Sequence, residues 1–235
     1  MSVNVNEFQQ PVGETLEAWE PRPLPQRVTL FGRFCRLEPL SAGHIADLLE
    51  AYGNAEDGRD WTYMFSGPFS HEDEFRRYLS DAAASRDPLH FAVIDAQGER
   101  AVGTVALMRI APQHGVIEVG HVAFSPLLQR TPAATETHFL LMQYAFEQLG
   151  YRRYEWKCDS LNAPSRKAAL RLGFRYEGLF RQAIVYKGRT RDTTWFSIID
   201  SEWPAVRQGF VRWLDERNFD PQGQQRHGLA ALRNQ

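Results

Sequence analysis

The chain has 235 residues, 43% of them hydrophobic, enough to bury the core of one large domain with extensions. Lysine plus arginine is 27 and aspartate plus glutamate 29, so the formal charge is 27 − 29 = −2, which gives no electrostatic case for binding nucleic acid or an anionic membrane. No apolar run approaches the roughly 18 residues of a membrane span, the N-terminus lacks the basic and apolar segments of a signal peptide, and Cys35 and Cys158 match neither a disulfide framework nor a zinc spacing, so a reduced, cytoplasmic setting is expected.

Residues 1–30 carry Pro11, Pro21, Pro23 and Pro25 with few large apolar side chains, and read as an arm packed over a domain spanning 31–216. Arg36–Leu40 is a short strand, and Ile45, Leu48, Leu49 and Tyr52 form one face of a first helix. The segment Arg59 to Phe69 is dense in aromatics and closes on Gly67-Pro68; Trp61 and Tyr63 either cap the core from outside or wall a substrate pocket. Acids at 72–74 open a second helix with Phe75, Tyr78, Leu79 and Ala82 inward. Leu89–Asp95, Ala101–Ile110 and Val116–Phe124 follow as strands joined by hairpin-length loops, which makes an antiparallel meander.

Ser125-Pro126 ends the third of these strands, and Thr131-Pro132 opens a helix, with Thr131 as N-cap and Gly150 as stop. A strand handing the chain to a helix through small residues aims unsatisfied N–H groups at one spot, which suits a phosphate. Arg153–Cys158 alternates strictly and should return parallel to the strand from Val116. A helix opens at Asn162 and stops at Gly173; Leu179–Lys187 and Thr193–Asp200 form a final hairpin, and a C-terminal helix carries Val206, Phe210, Trp213 and Leu214. The tail, 217–235, is Gln- and Gly-rich and is expected to be poorly ordered.

Glu118-Val-Gly-His121, Gln129-x-x-Pro132-x-Ala134-x-Glu136, Asn162-x-x-Ser165, Leu172-Gly173-Phe174 with Glu177-Gly178, and Asp192 with Glu202-Trp203 resemble the GNAT acetyltransferases. Within them the chain is similar to the branch related to the ribosomal-protein N-acetyltransferases RimJ and RimL, from about Arg33 to about Asp215. The resemblance implies an α+β (mixed α/β), three-layer fold whose central mixed, splayed, mostly antiparallel sheet is flanked by helices. It also implies acetyl-CoA as cosubstrate and acetyl transfer to an amine. Cofactor contacts would come from Val122, Phe124, Gln129, Arg130, Thr131, Ala133, Ala134, Thr135, Asn162, Ser165 and Lys167. Pro132 replaces a glycine of the family loop and removes one amide donor, a loss of about tenfold to a hundredfold in affinity before rearrangement.

The family's usual tyrosine acid falls at Ala169, and the resemblance to the RimL-like branch puts Ser165 in its place. For the base the sequence offers Glu118, which is favoured, and His121, which is placed with Trp61 and Tyr63 among the substrate-binding residues; the two face one pocket only if a bulge intervenes. Deprotonating an α-amine at pH 7 costs about 1 kcal/mol against about 4.6 for a lysine. The acceptor is therefore expected to be an α-amine of a protein N-terminus, a peptide or an aminoacyl compound, with a small drug-like amine open. The alternative is a catalytically weakened relative that binds acyl-CoA or a protein partner, and homodimer formation stays open. No metal site is expected.

Overall fold

A computed structural model describes residues 4–233 of the chain. Its strands are β1 (Asn4–Val5), β2 (Pro11–Val12), β3 (Leu30–Phe31), β4 (Cys35–Pro39), β5 (Leu89–Asp95), β6 (Ala101–Ala111), β7 (Val116–Phe124), β8 (Arg153–Asp159), β9 (Arg175–Tyr186) and β10 (Arg189–Ile199). The helices are α1 (Ile45–Gly53), α2 (Glu72–Ala84), α3 (Pro132–Gln143), α4 (Ala163–Leu172), α5 (Trp203–Leu214) and α6 (Leu229–Arg233). β1 and β2 pair with each other, and the remaining strands form one eight-stranded sheet in the order β3-β4-β5-β6-β7-β8-β10-β9.

Every neighbouring pair in that sheet is antiparallel except β7 and β8, which run parallel from Val116↔Arg153 to Val119↔Trp156. Pairing stops there. Gly120 to Phe124 and Lys157 to Asp159 have no partner across that boundary, so the sheet splays into a gap between the C-terminal halves of the two strands.

Each face of the sheet has its own core. On one, Leu37, Phe91, Val105, Ile117, Val119 and Tyr154 pack with Leu141 of α3, Leu172 of α4, Phe210 of α5 and Leu232 of α6. On the other, Ala92 and Ile94 pack with Leu48 of α1 and with Phe75 and Leu79 of α2. The result is the expected three layers of helices, sheet and helices. Both cysteines are buried, and no helix among the described residues is long and apolar enough to cross a membrane.

Two sequence expectations need correction. The tail folds back: Leu229 and Leu232 enter the large core, Asn218 holds its turn through Trp213 O and His227 O, and Arg233 donates to Arg171 O. Two apolar residues suffice because they meet a groove already lined by α4 and α5. The last hairpin also runs longer than the alternation suggested, with a turn of only Lys187-Gly188, because register shifts near Gln182 and Glu177 break the period of two in β9. From Trp19 onward the chain is tied to later segments through Trp19 Nε1 to Gln113 O and Tyr151 Oη to Pro23 O, while β1 and β2 stand exposed.

Candidate active site

The gap owes its chemistry to an irregularity in β7. Between Ala106↔Gly120 and Thr104↔Ala123, two steps on β6 match three on β7, so one extra residue bulges at His121–Val122, and His121 takes a left-handed φ of 48°. Beyond the bulge the alternation is inverted, and Val122 and Phe124 join Ile117 and Val119 on the large-core face. His121 turns to the opposite face, where its ring meets His90 at 4.9 Å. Glu118, flanked by Ile117 and Val119, points to that same face. The bulge thus brings Glu118 and His121 to one side of the sheet.

Glu118 is not a free carboxylate. Lys157 Nζ lies 2.6 Å and Arg109 Nε 3.2 Å from its Oε2, and Lys157 also reaches Glu155 Oε2 at 2.9 Å. Arg153 bridges Glu155 and, through both terminal nitrogens, Glu177, whose Oε1 accepts from Ser197. Three carboxylates therefore face three cations. Burial pushes the Glu118 carboxyl up against the pull of Lys157 and Arg109. Burial also raises the Glu155 carboxyl, but hydrogen bonds from Arg153 and Lys157 outweigh it and hold Glu155 below its ordinary value. On His121 burial acts alone and lowers the pKa; on His90 burial, with a small push from His121, lowers it to about 4. Burial thus favours the neutral form of both rings.

Ser165 belongs to the other face. Asn162 Oδ1 accepts from Ser165 N and caps α4, and Ser165 Oγ accepts the indole N–H of Trp156 at 3.0 Å. Trp156 is the last residue of β8 paired with β7, and it lies on the large-core face, so the serine hydroxyl stands where the gap opens. Its lone pair is taken by the indole, which leaves its hydrogen free to donate. His138 of α3 sits between Phe124 and Trp156, with ring distances of 5.6 and 5.2 Å; burial lowers its pKa to about 3, and its Nδ1 has no partner among the described residues.

The loop into α3 is a narrower cradle than its sequence suggests. Thr131 N is bonded to Leu128 O and Ala134 N to Thr131 Oγ1. Arg130, at φ 63°, and Ala133 keep amides without partners among the described residues. Gln129 Nε2 donates to Phe124 O and to Asp60 Oδ2, tying the end of β7 to the aromatic loop. Thr135 Oγ1 accepts from Arg171, whereas Lys167 is exposed. Glu136 is structural: its carboxylate takes Arg33 N, Phe34 N and Cys35 N at 2.9, 2.6 and 2.9 Å.

Of the aromatic candidates, Trp61 belongs to the core. It is buried in the α1–α2 cluster against Tyr52, Phe69, Phe75 and Tyr78, so of the two readings left open for it this packing supports the lid of the core. Tyr63 does reach the gap's edge, its Oη donating to Leu161 O beside Asn162. Trp156, Lys157, His90 and His138 complete the site without any local sequence signal; only the strict alternation of β8 hinted that Lys157 and Trp156 face opposite sides.

A parallel pair that splays, a bulge at the mouth of the gap, and two helices starting at its large-core side can be compared with known proteins. The model of the acetyltransferase (GNAT) domain matches residues 35–175. This chain belongs to the GNAT acetyltransferase family. A GCN5-related N-acetyltransferase from Brucella melitensis is 51% identical in its crystal structure, with a TM-score of 0.91, covering 94% of this chain and 100% of that one. Two curated relatives are the uncharacterized N-acetyltransferase p20 of Bacillus licheniformis, 28% identical over 161 residues (67% of this chain, 89% of the relative), and YnaD of Bacillus subtilis, 24% identical over 157 residues (67% and 90%). The chain is an N-acetyltransferase by family and fold, and GNAT enzymes in general use acetyl-CoA and an amine.

Proposed function

We propose that this chain transfers an acetyl group from acetyl-CoA to a primary α-amine by direct attack, and that it belongs to the RimJ/RimL-like branch. One observation carries the reading: Ser165 and the pair Glu118–His121 lie on opposite faces of the sheet, beside the point where pairing between β7 and β8 stops. Direct transfer needs an acid beside the leaving sulfur and a proton acceptor beside the entering nitrogen, on opposite sides of the carbonyl.

The residues fit the cosubstrate. The open amides of Arg130 and Ala133, at the positive end of α3, suit a pyrophosphate, and Ala133 and Ala134 leave room for it. Asn162 Nδ2, with no described partner, and the backbone of Val122 to Phe124 would hold the pantetheine amides. Lys167 stands on the exposed face of α4 for the 3′-phosphate. When bound, acetyl-CoA supplies an activated acetyl group and a thiol leaving group. Ser165 gives the hydrogen of its hydroxyl towards the sulfur; a thiol of pKa roughly 8.5 needs only such a weak donor. On the other face Glu118 Oε1 receives the proton of the nitrogen, with the ring of His121 beside the substrate, while Lys157 and Arg109 hold Glu118 in place.

The acceptor is a small molecule, a peptide or a protein N-terminus. The charged network around Glu118 is neutral as a whole, so it offers no net field to a polyamine. The reading is tested by calorimetric titration of acetyl-CoA into the wild-type protein and into Ala134→Asp, whose carboxylate faces the proposed phosphate. Affinity should fall at least tenfold in a folded variant, and unchanged affinity would remove the cradle. Tight binding without CoA release on any amine would support instead an acyl-CoA-binding relative that has lost its chemistry, which the loss of donors around Pro132 favours.

A further inference from the structure

Arg191 is buried without a counter-ion. It is 6% exposed, its Nε donates to Thr193 Oγ1 at 3.1 Å, and its guanidinium carbon lies 5.4 Å from the ring centre of Phe65 and 5.8 Å from that of Tyr186. No described carboxylate forms an ion pair with it. The nearby acids are engaged elsewhere: Asp159 accepts from Leu161 N at 2.9 Å and Tyr186 Oη at 2.7 Å, and Asp192 from Gln182 N at 2.7 Å. Neither terminal nitrogen of Arg191 has a hydrogen-bond partner among the described residues, and neither is sealed from solvent. A guanidinium so nearly buried, with its two terminal nitrogens still open to solvent, gains most from an anion that meets those nitrogens. Two aromatic rings lie within cation–π distance of it and one bond holds its Nε edge, which leaves the terminal fork to meet a bidentate partner.

Its position says what that partner is attached to. Arg191, Thr193 and Trp195 alternate on one face of β10, and Trp195 lies opposite Lys157 with the ammonium 3.6 Å from its ring centre. Lys157 in turn holds Glu118. Arg191 is therefore on the face from which the amine approaches, away from Ser165 and the starts of α3 and α4. From Trp195 to Thr193 is two residues, roughly 7 Å along the strand. Phe65 comes from the aromatic loop, which Lys187 and Arg189 of the same hairpin clasp through Trp61 O, Ser66 O and Thr62 O.

We propose that Arg191, between Phe65 and Tyr186, is the subsite for a carboxylate of the acceptor, so that the preferred substrate is an amine with a carboxylate some 7–10 Å from its nitrogen, the span of a di- or tripeptide. The proposal rests on the acetyltransferase reading for what the amine does, but not for what Arg191 binds. It disfavours polyamines, which Arg191 repels.

The test is calorimetric titration of product-like ligands, N-acetyl-diglycine and its C-terminal amide, into the wild-type protein saturated with CoA, with the mono- and triglycine acids as length controls. The acid should bind at least tenfold more tightly than the amide, with the optimum at two or three residues. Arg191→Gln should bring the acid down to the amide's affinity and leave CoA affinity unchanged, and Arg191→Lys, which keeps the charge but not the fork, should fall between. Equal binding of acid and amide by the wild type, no binding of any acid at millimolar concentration, or an equal loss for both ligands in Arg191→Gln would overturn the subsite. The wild-type comparison stands even if the variants fail to fold. If CoA itself does not bind, the acetyltransferase reading fails, and the same acid–amide pair titrated into the free protein decides Arg191 separately.

Discussion

The bond from Trp156 Nε1 to Ser165 Oγ, 3.0 Å long and within a buried wall, gives the serine its direction. Trp156→Phe removes the donor but keeps an aromatic ring against His138 and Phe174. A hydrogen bond to a group that gains charge as its proton departs is worth about 1.5–3 kcal/mol, so turnover should fall roughly tenfold to a hundredfold. Ser165→Ala should cost roughly 10²-fold or more, the usual range for a positioned acid, with acetyl-CoA affinity nearly intact. In the double variant the tryptophan has nothing left to direct. Thiol release followed at saturating acetyl-CoA should therefore show no further loss on adding Trp156→Phe to Ser165→Ala. Losses that multiply would refute the reasoning and leave Trp156 a packing residue whose removal disturbs the gap in some other way.

Glu118→Gln should slow transfer at pH 7 and recover as pH rises through the acceptor's own pKa, near 8 for an α-amine; a defect independent of pH would make Glu118 an electrostatic support for Lys157 and Arg109. His138 has a pKa near 3 in the fold against an ordinary 6.5, so the unfolded chain takes up a proton that the native chain refuses. Stability is then complete above pH 6.5, declines as pH falls and stops declining near 3, by roughly 4 to 5 kcal/mol in all. Urea unfolding at pH 7, 5 and 4 should show this slope in the wild type and a flatter one in His138→Phe; parallel slopes would contradict it. Glu136→Gln leaves one acceptor oxygen for three amides and should cost roughly 3 kcal/mol, a fall of about 6–12 °C in Tm, without changing CoA affinity per folded molecule.

Where the signal is local, the chain can be read closely. β7 runs from Val116 to Phe124 as its apolar pattern and Ser125-Pro126 suggest, and α3 and α4 start after Thr131 and Asn162, whose side chains cap Ala134 N and Ser165 N. The bulge that brings Glu118 and His121 together leaves a mark in β7, whose apolar positions shift from Ile117 and Val119 to Val122 and Phe124, but only counting β7 against β6 shows that shift to be an extra residue. Trp61 shows the opposite failure: an aromatic loop suits a pocket wall or a core lid equally, and only packing against α1 and α2 decides. Partners far apart in the chain stay hidden for the same reason. Arg191 and Phe65 meet across more than a hundred residues, as do Glu136 and the turn at Arg33, and neither pair has a spacing to recognise. The order of the tail is not legible in composition, which records average polarity, whereas Leu229 and Leu232 alone find the groove.

The central claim is transfer of an acetyl group across the gap between β7 and β8. It is tested most directly by mixing the wild-type protein, loaded with one equivalent of acetyl-CoA, with an excess of diglycine at pH 8 and measuring free CoA thiol and N-acetylated peptide in the same sample. Equal amounts of both should appear in a single turnover, and Ser165→Ala should slow both together while binding acetyl-CoA as before. Acetyl-CoA that binds but stays intact against diglycine and every other amine offered, or thiol released without an acetylated amine, would contradict it.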